Sequence, residues 1–242
     1  ARQSIYRYLQ PPVKIAEWAL DLARLGGDER IADLGCGNGL YLAELAQREH
    51  RGAVCGADLS PGMLAAAQAR SGAALLVADA QRLPFADDSF DCVLAIHMLY
   101  HVPDRDLCLS EIRRVLRPGG LVLALTNSYR HLEELNEMVV SVLHEVVGAS
   151  TTRTYLRFSS ESGAEDLAAH FTEVERHDNR NELVVTDVQP VVDYVASMGT
   201  VGAPIVSDPV PVLREVERRV RAAIEAEGAF RIRTDVGCFV CH

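Results

Sequence analysis

Short apolar runs recur through the first half of the chain, and the first three stop at a glycine or an acid. Residues 30–34, 53–57, 74–78, 90–96 and 121–126 read as strands of this kind. Between them the apolar spacing widens to three and four, which predicts helices over 40–49, 61–70 and 104–116. A further helix over 12–25 opens on proline and closes at Gly26 and Gly27. Strand and helix in alternation make a mostly parallel sheet covered by helices on both faces. After Ser128 the rhythm loosens: a helix over 132–147, a sixth strand over 172–176, helices over 188–198 and 212–227, and a seventh strand over 236–241. The fold class expected is α/β with a seven-stranded sheet. About fifty residues before the last strand, where a hairpin loop would suffice, read as a helical lid over a substrate pocket or as helices that merely cover the sheet. Gly199 to Pro211 reads as a mobile connection.

The first strand ends in the most specific chemistry. RIADLGCGNG, residues 30–39, places Asp33 two positions before Gly35, with Gly37 and Gly39 following at alternate positions. A turn of this type lets a ligand approach at backbone distance, and the next helix points its positive N-terminus at it. A dinucleotide fingerprint has the spacing GxGxxG and seats a pyrophosphate there; GxGxG preceded by an acid suits a cation better. The second strand ends in Asp58, where a ribose diol would be gripped, and the third in Asp79. Three acids at successive strand ends describe a long ligand with a cationic end, a ribose and an adenine amino group. Each acid alone also has a local reading: Asp33 capping the glycine turn, Asp79 capping residues 80–82, and Asp58 in competition with Ser60 for the cap before Pro61.

Residues 31–39 resemble motif I of the class I S-adenosylmethionine-dependent methyltransferases. GADLSPGML, VADAQRLPFADDSFD and EIRRVLRPGGLVLA extend the resemblance over roughly residues 28–127, toward the small-molecule branch that includes the ubiquinone and menaquinone enzymes. The resemblance implies a Rossmann-like core, S-adenosyl-L-methionine as cofactor and a small-molecule methyl acceptor. It also implies a cofactor site of Asp33, Gly35, Cys36, Gly37, Asn38, Gly39, Asp58, Leu59, Met63, Asp79, Ala80, Gln81 and His97. The corresponding division is an N-terminal arm and helix over 1–27, the cofactor-binding core over 28–127, and a C-terminal half over 128–242 that completes the sheet and carries the lid. Tyr6, Arg7 and Tyr8 of the arm close over the methionine end or pack on the Trp18 helix.

The sulfonium already activates its methyl group, so a nucleophile held in line needs a base only if its proton is hard to remove. Candidates for that proton are His97 and His101 in IHMLYHV, which share a face if the segment is helical, with Tyr100 beside them; a structural role for either is the alternative. No glutamate follows His97 as in HExxH, and with His97 after the fourth strand and Thr126 and Asn127 at the end of the fifth an octahedral magnesium site of clustered carboxylates is not supported, so no metal is expected. The Asp/Asn-Pro-Pro-aromatic segment of methyltransferases acting on nucleic-acid amines is absent here.

Charge and cysteines narrow the field further. The 242 residues carry a formal charge of −10 and a single lysine, Lys14, with arginines interleaved among acids, which argues against nucleic-acid backbone binding. No apolar run approaches a membrane span and no signal peptide is evident, so a cytoplasmic enzyme is expected. Of six cysteines, Cys238 and Cys241 stand in CFVCH, a spelling shared with haem attachment, but a last strand that contains two cysteines accounts for them better. The reading is a methyltransferase acting on an O or N nucleophile of a small molecule. A peptide or RNA acceptor, an NAD-dependent oxidoreductase and a silent cofactor-binding module are the alternatives, and a homodimer is left open.

Overall fold

The computed structural model describes residues 4–149, 157–201 and 206–242, so part of the connection read at 199–211 lies outside the described residues. Eight strands form one sheet in the order β1-β7-β8-β6-β5-β2-β3-β4. They are β1 Leu9–Gln10, β2 Ile31–Leu34, β3 Val54–Asp58, β4 Ala74–Val77, β5 Phe90–Ile96, β6 Leu116–Asn127, β7 Val174–Val185 and β8 Phe230–Cys241. The helices are α1 Ile15–Leu22, α2 Leu40–Gln47, α3 Pro61–Ser71, α4 Arg105–Val115, α5 Glu133–Val147, α6 Gly163–Ala168, α7 Gln189–Ala196 and α8 Val210–Glu227. The expected seven strands become eight because the N-terminal arm adds β1, a two-residue strand antiparallel to β7 through Leu9 and Leu183. Two residues carry no hydrophobic period, which is why the pattern missed them.

The described residues fall into two compact units. One is drawn from Lys14–Ser128, Leu156–Asp178 and Val236–His242, the other from Ala1–Val13, Tyr129–Tyr155 and Asn179–Asp235. In the first, β4, β3, β2, β5 and β6 run parallel, and β8 joins β6 antiparallel with Cys238 opposite Leu125 and Cys241 opposite Val122. Both cysteines are buried and free within that central strand, as expected of an ordinary last strand. All seven residues of β5 are buried, the mark of a parallel strand covered on both faces.

Local chemistry sets the helix ends. Ser60 caps α3 by accepting from the Met63 N–H at 3.3 Å, Pro61 occupies the first turn, and Gly72 closes the helix in the left-handed region. Asp104 caps α4 by accepting from the Leu107 N–H at 3.0 Å. Cys108, Leu109, Ile112 and Val115 of that helix are buried in one core cluster with Val93, Val122 and Ala124. A second cluster beneath α1 and α2 joins Ala19, Leu20, Ile31, Tyr41, Ile96, Leu125 and Cys238. The other unit has its own apolar core, built from α5, α7 and α8 around Leu135, Val139, Val191, Val212, Val216 and Val220. Among the described residues no helix is long and apolar enough to cross a membrane.

Candidate active site

The three strand-end acids stand at the carboxyl ends of adjacent parallel strands. Asp33 pairs in register with Gly56 of β3, Asp58 ends β3 opposite Val77, and Asp79 follows β4 by two residues. The glycine turn joins two of these ends directly: the Gly37 N–H donates to Asp58 Oδ2 at 2.9 Å, while Asp58 Oδ1 accepts from the Ser60 N–H at 2.8 Å. Two more turn donors are engaged, Cys36 N–H to the Ala57 carbonyl at 3.0 Å and Gly39 N–H to the Cys36 carbonyl at 2.9 Å. A pyrophosphate cradle needs such N–H groups facing the ligand. Here those of Cys36, Gly37 and Gly39 are spent on protein acceptors, and the one on Gly37 faces a carboxylate rather than a phosphate.

The glycines are needed for different reasons. A Cβ on Gly35, at φ +64°, would stand 2.7 Å from Met98 Cβ, so this glycine lets the segment after β5 close against the turn. A Cβ on Gly37, at φ +53°, would meet only the Gly35 carbonyl oxygen at 4.0 Å. Open space at Gly37 is what a ligand approaching the backbone requires. Cys36 is buried beside Gly56, whose absent side chain makes room for its sulfur, and burial pushes its thiol up to about 12. Asn38 is tied down through its side-chain oxygen by Arg70 at 2.9 Å.

Asp33 is 1% exposed and neither of its carboxylate oxygens has a hydrogen-bond partner. It does not cap the turn, so that local reading of Asp33 falls. Burial raises its carboxyl from 3.8 to about 8, and the neighbouring Asp58 adds to the rise. Asp79 accepts from the Gln81 backbone N–H at 2.9 Å and from the Gln81 side-chain amide at 3.1 Å, and Gln81 in turn accepts from the Asp104 N–H at 3.0 Å. Ala80 lies half-buried in this braced turn, while Leu59 and Met63 on the adjoining segment are 66% and 49% exposed, apolar side chains facing open space.

The histidine segment is not α-helical. A 3-10 turn covers Leu99–His101, so His97 and His101 do not share a helical face as the i, i+4 spacing had suggested. His97 has φ +53°, a strained conformation for a residue with a side chain, and its Nδ1 is buried without a partner. Burial lowers it from 6.5 to about 4, with His101 contributing, so the ring is neutral at physiological pH. His101 is exposed, its ring 4.4 Å from that of Tyr100. Among the described residues no group of three or more His, Cys, Asp or Glu could hold a metal ion.

A family model described as "Methyltransferase domain" matches residues 32–124, the stretch that carries these strand ends. The demethylmenaquinone methyltransferase of Mycobacterium marinum is 44% identical over 98 residues, which are 40% of this chain and 41% of that protein. The malonyl-[acyl-carrier protein] O-methyltransferase of Hahella chejuensis is 30% identical over 215 residues, 88% of this chain and 74% of that protein. The chain belongs to the class I S-adenosylmethionine-dependent methyltransferases. Solved structures agree in fold. A protein of Anabaena variabilis described as a methyltransferase from an antibiotic biosynthesis pathway superposes with a TM-score of 0.66 at 17% identity, covering 94% of this chain and 96% of that one. Matches to curated relatives such as the Mycobacterium marinum protein span about two fifths of those proteins.

In this methyltransferase the geometry fits the family's cofactor. Asp33 is a buried acid lacking a donor, Gly37 leaves backbone-distance space, Asp58 is fixed at the strand end, and the Asp79 to Gln81 turn is braced. Two neighbours escaped the sequence reading. Met98 seals Gly35, and the Tyr41 hydroxyl is buried near Asp33 without a partner. Neither had a sequence signal, since both positions look like ordinary apolar core.

Proposed function

We propose that this chain transfers a methyl group from S-adenosylmethionine to an O or N nucleophile of a small molecule. The observation that carries the proposal is the glycine turn whose Gly37 N–H is held by the anchored Asp58 and which follows a buried, donorless Asp33. When bound, the cofactor supplies an activated methyl group on its sulfonium. Asp33 faces its cationic amino-acid end, Asp58 holds the ribose hydroxyls by charge-assisted hydrogen bonds, and Asp79 with Ala80 and Gln81 receives the adenine, flanked by Leu59 and Met63. Gly35, Gly37 and Gly39, with Cys36 and Asn38 between them, shape the backbone floor.

His97 borders this floor through Met98, which abuts Gly35. A ring that stays neutral down to about pH 4 is a weak proton acceptor, so His97 serves by orienting the acceptor through Nδ1 rather than by storing its proton. His101, exposed in the next turn, remains the second candidate for proton transfer. Acceptors matching this site are amines and acidic hydroxyls, whose nucleophilic form needs no strong base. The test is incubation with methyl-labelled cofactor and separate pools of small amines and phenols, peptides and RNA, with products read by mass spectrometry. Label confined to the small molecules supports the reading; label in peptide or RNA alone replaces it with macromolecular methylation.

A further inference from the structure

We infer that Tyr41 is a positioning residue for the amino-acid end of the cofactor, acting together with Asp33; this rests on the methyltransferase reading above. Tyr41 is the second residue of α2, directly after the glycine turn, and is 6% exposed. Its hydroxyl is fully buried and has no hydrogen-bond partner. Side chains alternate along β2, so Asp33 shares the face of Ile31, while Ala32 and Leu34 pack on the opposite one. Ile31 and Tyr41 belong to one apolar cluster with Ile96, Leu125 and Cys238. The Asp33 carboxylate and the Tyr41 phenol therefore look into the same layer, close enough to interact electrostatically but not hydrogen-bonded to each other.

Two unpartnered polar groups in an apolar layer are costly, and phenylalanine at 41 would remove one of them without loss of packing. What satisfies both is a positively charged group with several N–H donors, bound directly or through one water: a primary ammonium donates to the carboxylate and to the phenol oxygen at once. The cofactor carries such an ammonium at its methionine end and none at its adenosine end. Tyr41 thus contributes to binding of the amino-acid end alone.

The test is calorimetric titration of the wild type, Tyr41→Phe, Asp33→Asn and the double variant with S-adenosylhomocysteine and with 5′-methylthioadenosine, which lacks the amino-acid group. Thermal unfolding of each variant confirms folding, and Tyr41→Leu serves as a second apolar replacement. The expected result is a Tyr41→Phe protein at least as thermostable as the wild type. Its affinity for S-adenosylhomocysteine falls about tenfold while that for 5′-methylthioadenosine changes by less than about twofold. The double variant loses little more than Asp33→Asn, because the two groups act on one ligand atom. An equal effect on both ligands, or on neither, overturns the role of Tyr41 alone. A wild type that binds neither ligand overturns it together with the reading on which it rests.

Discussion

Replacing Asp33 by asparagine should make the ligand-free protein more stable while weakening its hold on the cofactor. The carboxyl is raised from 3.8 to about 8 because it is buried without a donor and faces Asp58. Between those two values the native state keeps a proton that the unfolded chain has released, so stability contributed by this group declines as pH rises across the window. At about 1.4 kcal/mol per pH unit the ceiling is ~6 kcal/mol above pH 8 and ~4 kcal/mol at pH 7. Hydration and relaxation around the turn reduce this, leaving ~1–3 kcal/mol at pH 7. Asparagine is isosteric and cannot ionise, so it imitates the protonated acid at every pH. The assay is thermal or urea unfolding of both proteins without ligand from pH 4 to 8.5. The expected gap is near zero at pH 4 and widens upward, reaching roughly 3–10 °C in Tm at pH 7. A gap that does not depend on pH, or a variant less stable than the wild type at pH 7, would refute the argument.

Asp58→Ala removes the carboxylate proposed to hold the ribose, with its bonds to Gly37 and Ser60, and should weaken S-adenosylhomocysteine binding by about 2 kcal/mol or more in calorimetry; unchanged affinity removes Asp58 from the site. Gly37→Val should abolish measurable binding while Tm falls by several degrees through strain at φ +53°, since a Cβ there meets no side chain of the protein; Gly35→Ala adds to the same kind of strain a clash with Met98 and should cost ~1–3 kcal/mol. His97→Asn tolerates the left-handed backbone and cannot titrate. Because burial holds His97 at about 4, the wild type should lose stability as pH falls from 6.5 toward 4, and the variant should lack that acid sensitivity. In turnover assays, loss of rate at unchanged cofactor affinity would support His97 as an acceptor-orienting group, whereas equal losses would make it scaffolding.

The parallel core was legible because its strands are bounded by residues with a structural duty. β5 begins and ends where its apolar run does, at Phe90 and Ile96, β2 ends one residue past Asp33, and β3 and β4 stop at or just before Asp58 and Asp79. β6 starts earlier than the apolar run, because Leu116 already pairs with Phe90 before the ladder shifts register and resumes at Leu121 opposite Cys92. Arg117 to Gly120, the RPGG stretch, occupies that irregularity. β7 was seen only in its first residues, since its middle reads ERHDNRNE, and a strand so rich in charged side chains has no hydrophobic period to detect. The three acids could be placed at strand ends from sequence, but the donorless state of Asp33 and the buried hydroxyl of Tyr41 depend on which face of the sheet each meets. His97 and His101 illustrate the same limit: their spacing suits an α-helix, yet the backbone after β5 passes through φ +53° at His97 and tightens into a 3-10 turn.

The most direct test of the central claim is calorimetric titration of the purified protein with S-adenosylhomocysteine, with NADH as the control ligand. Micromolar binding of S-adenosylhomocysteine and none of NADH is expected, because the N–H groups of Cys36, Gly37 and Gly39 are already engaged and the one on Gly37 faces the Asp58 carboxylate. Binding of NADH in its place would contradict it, and the strand-end acids would then belong to a dinucleotide site.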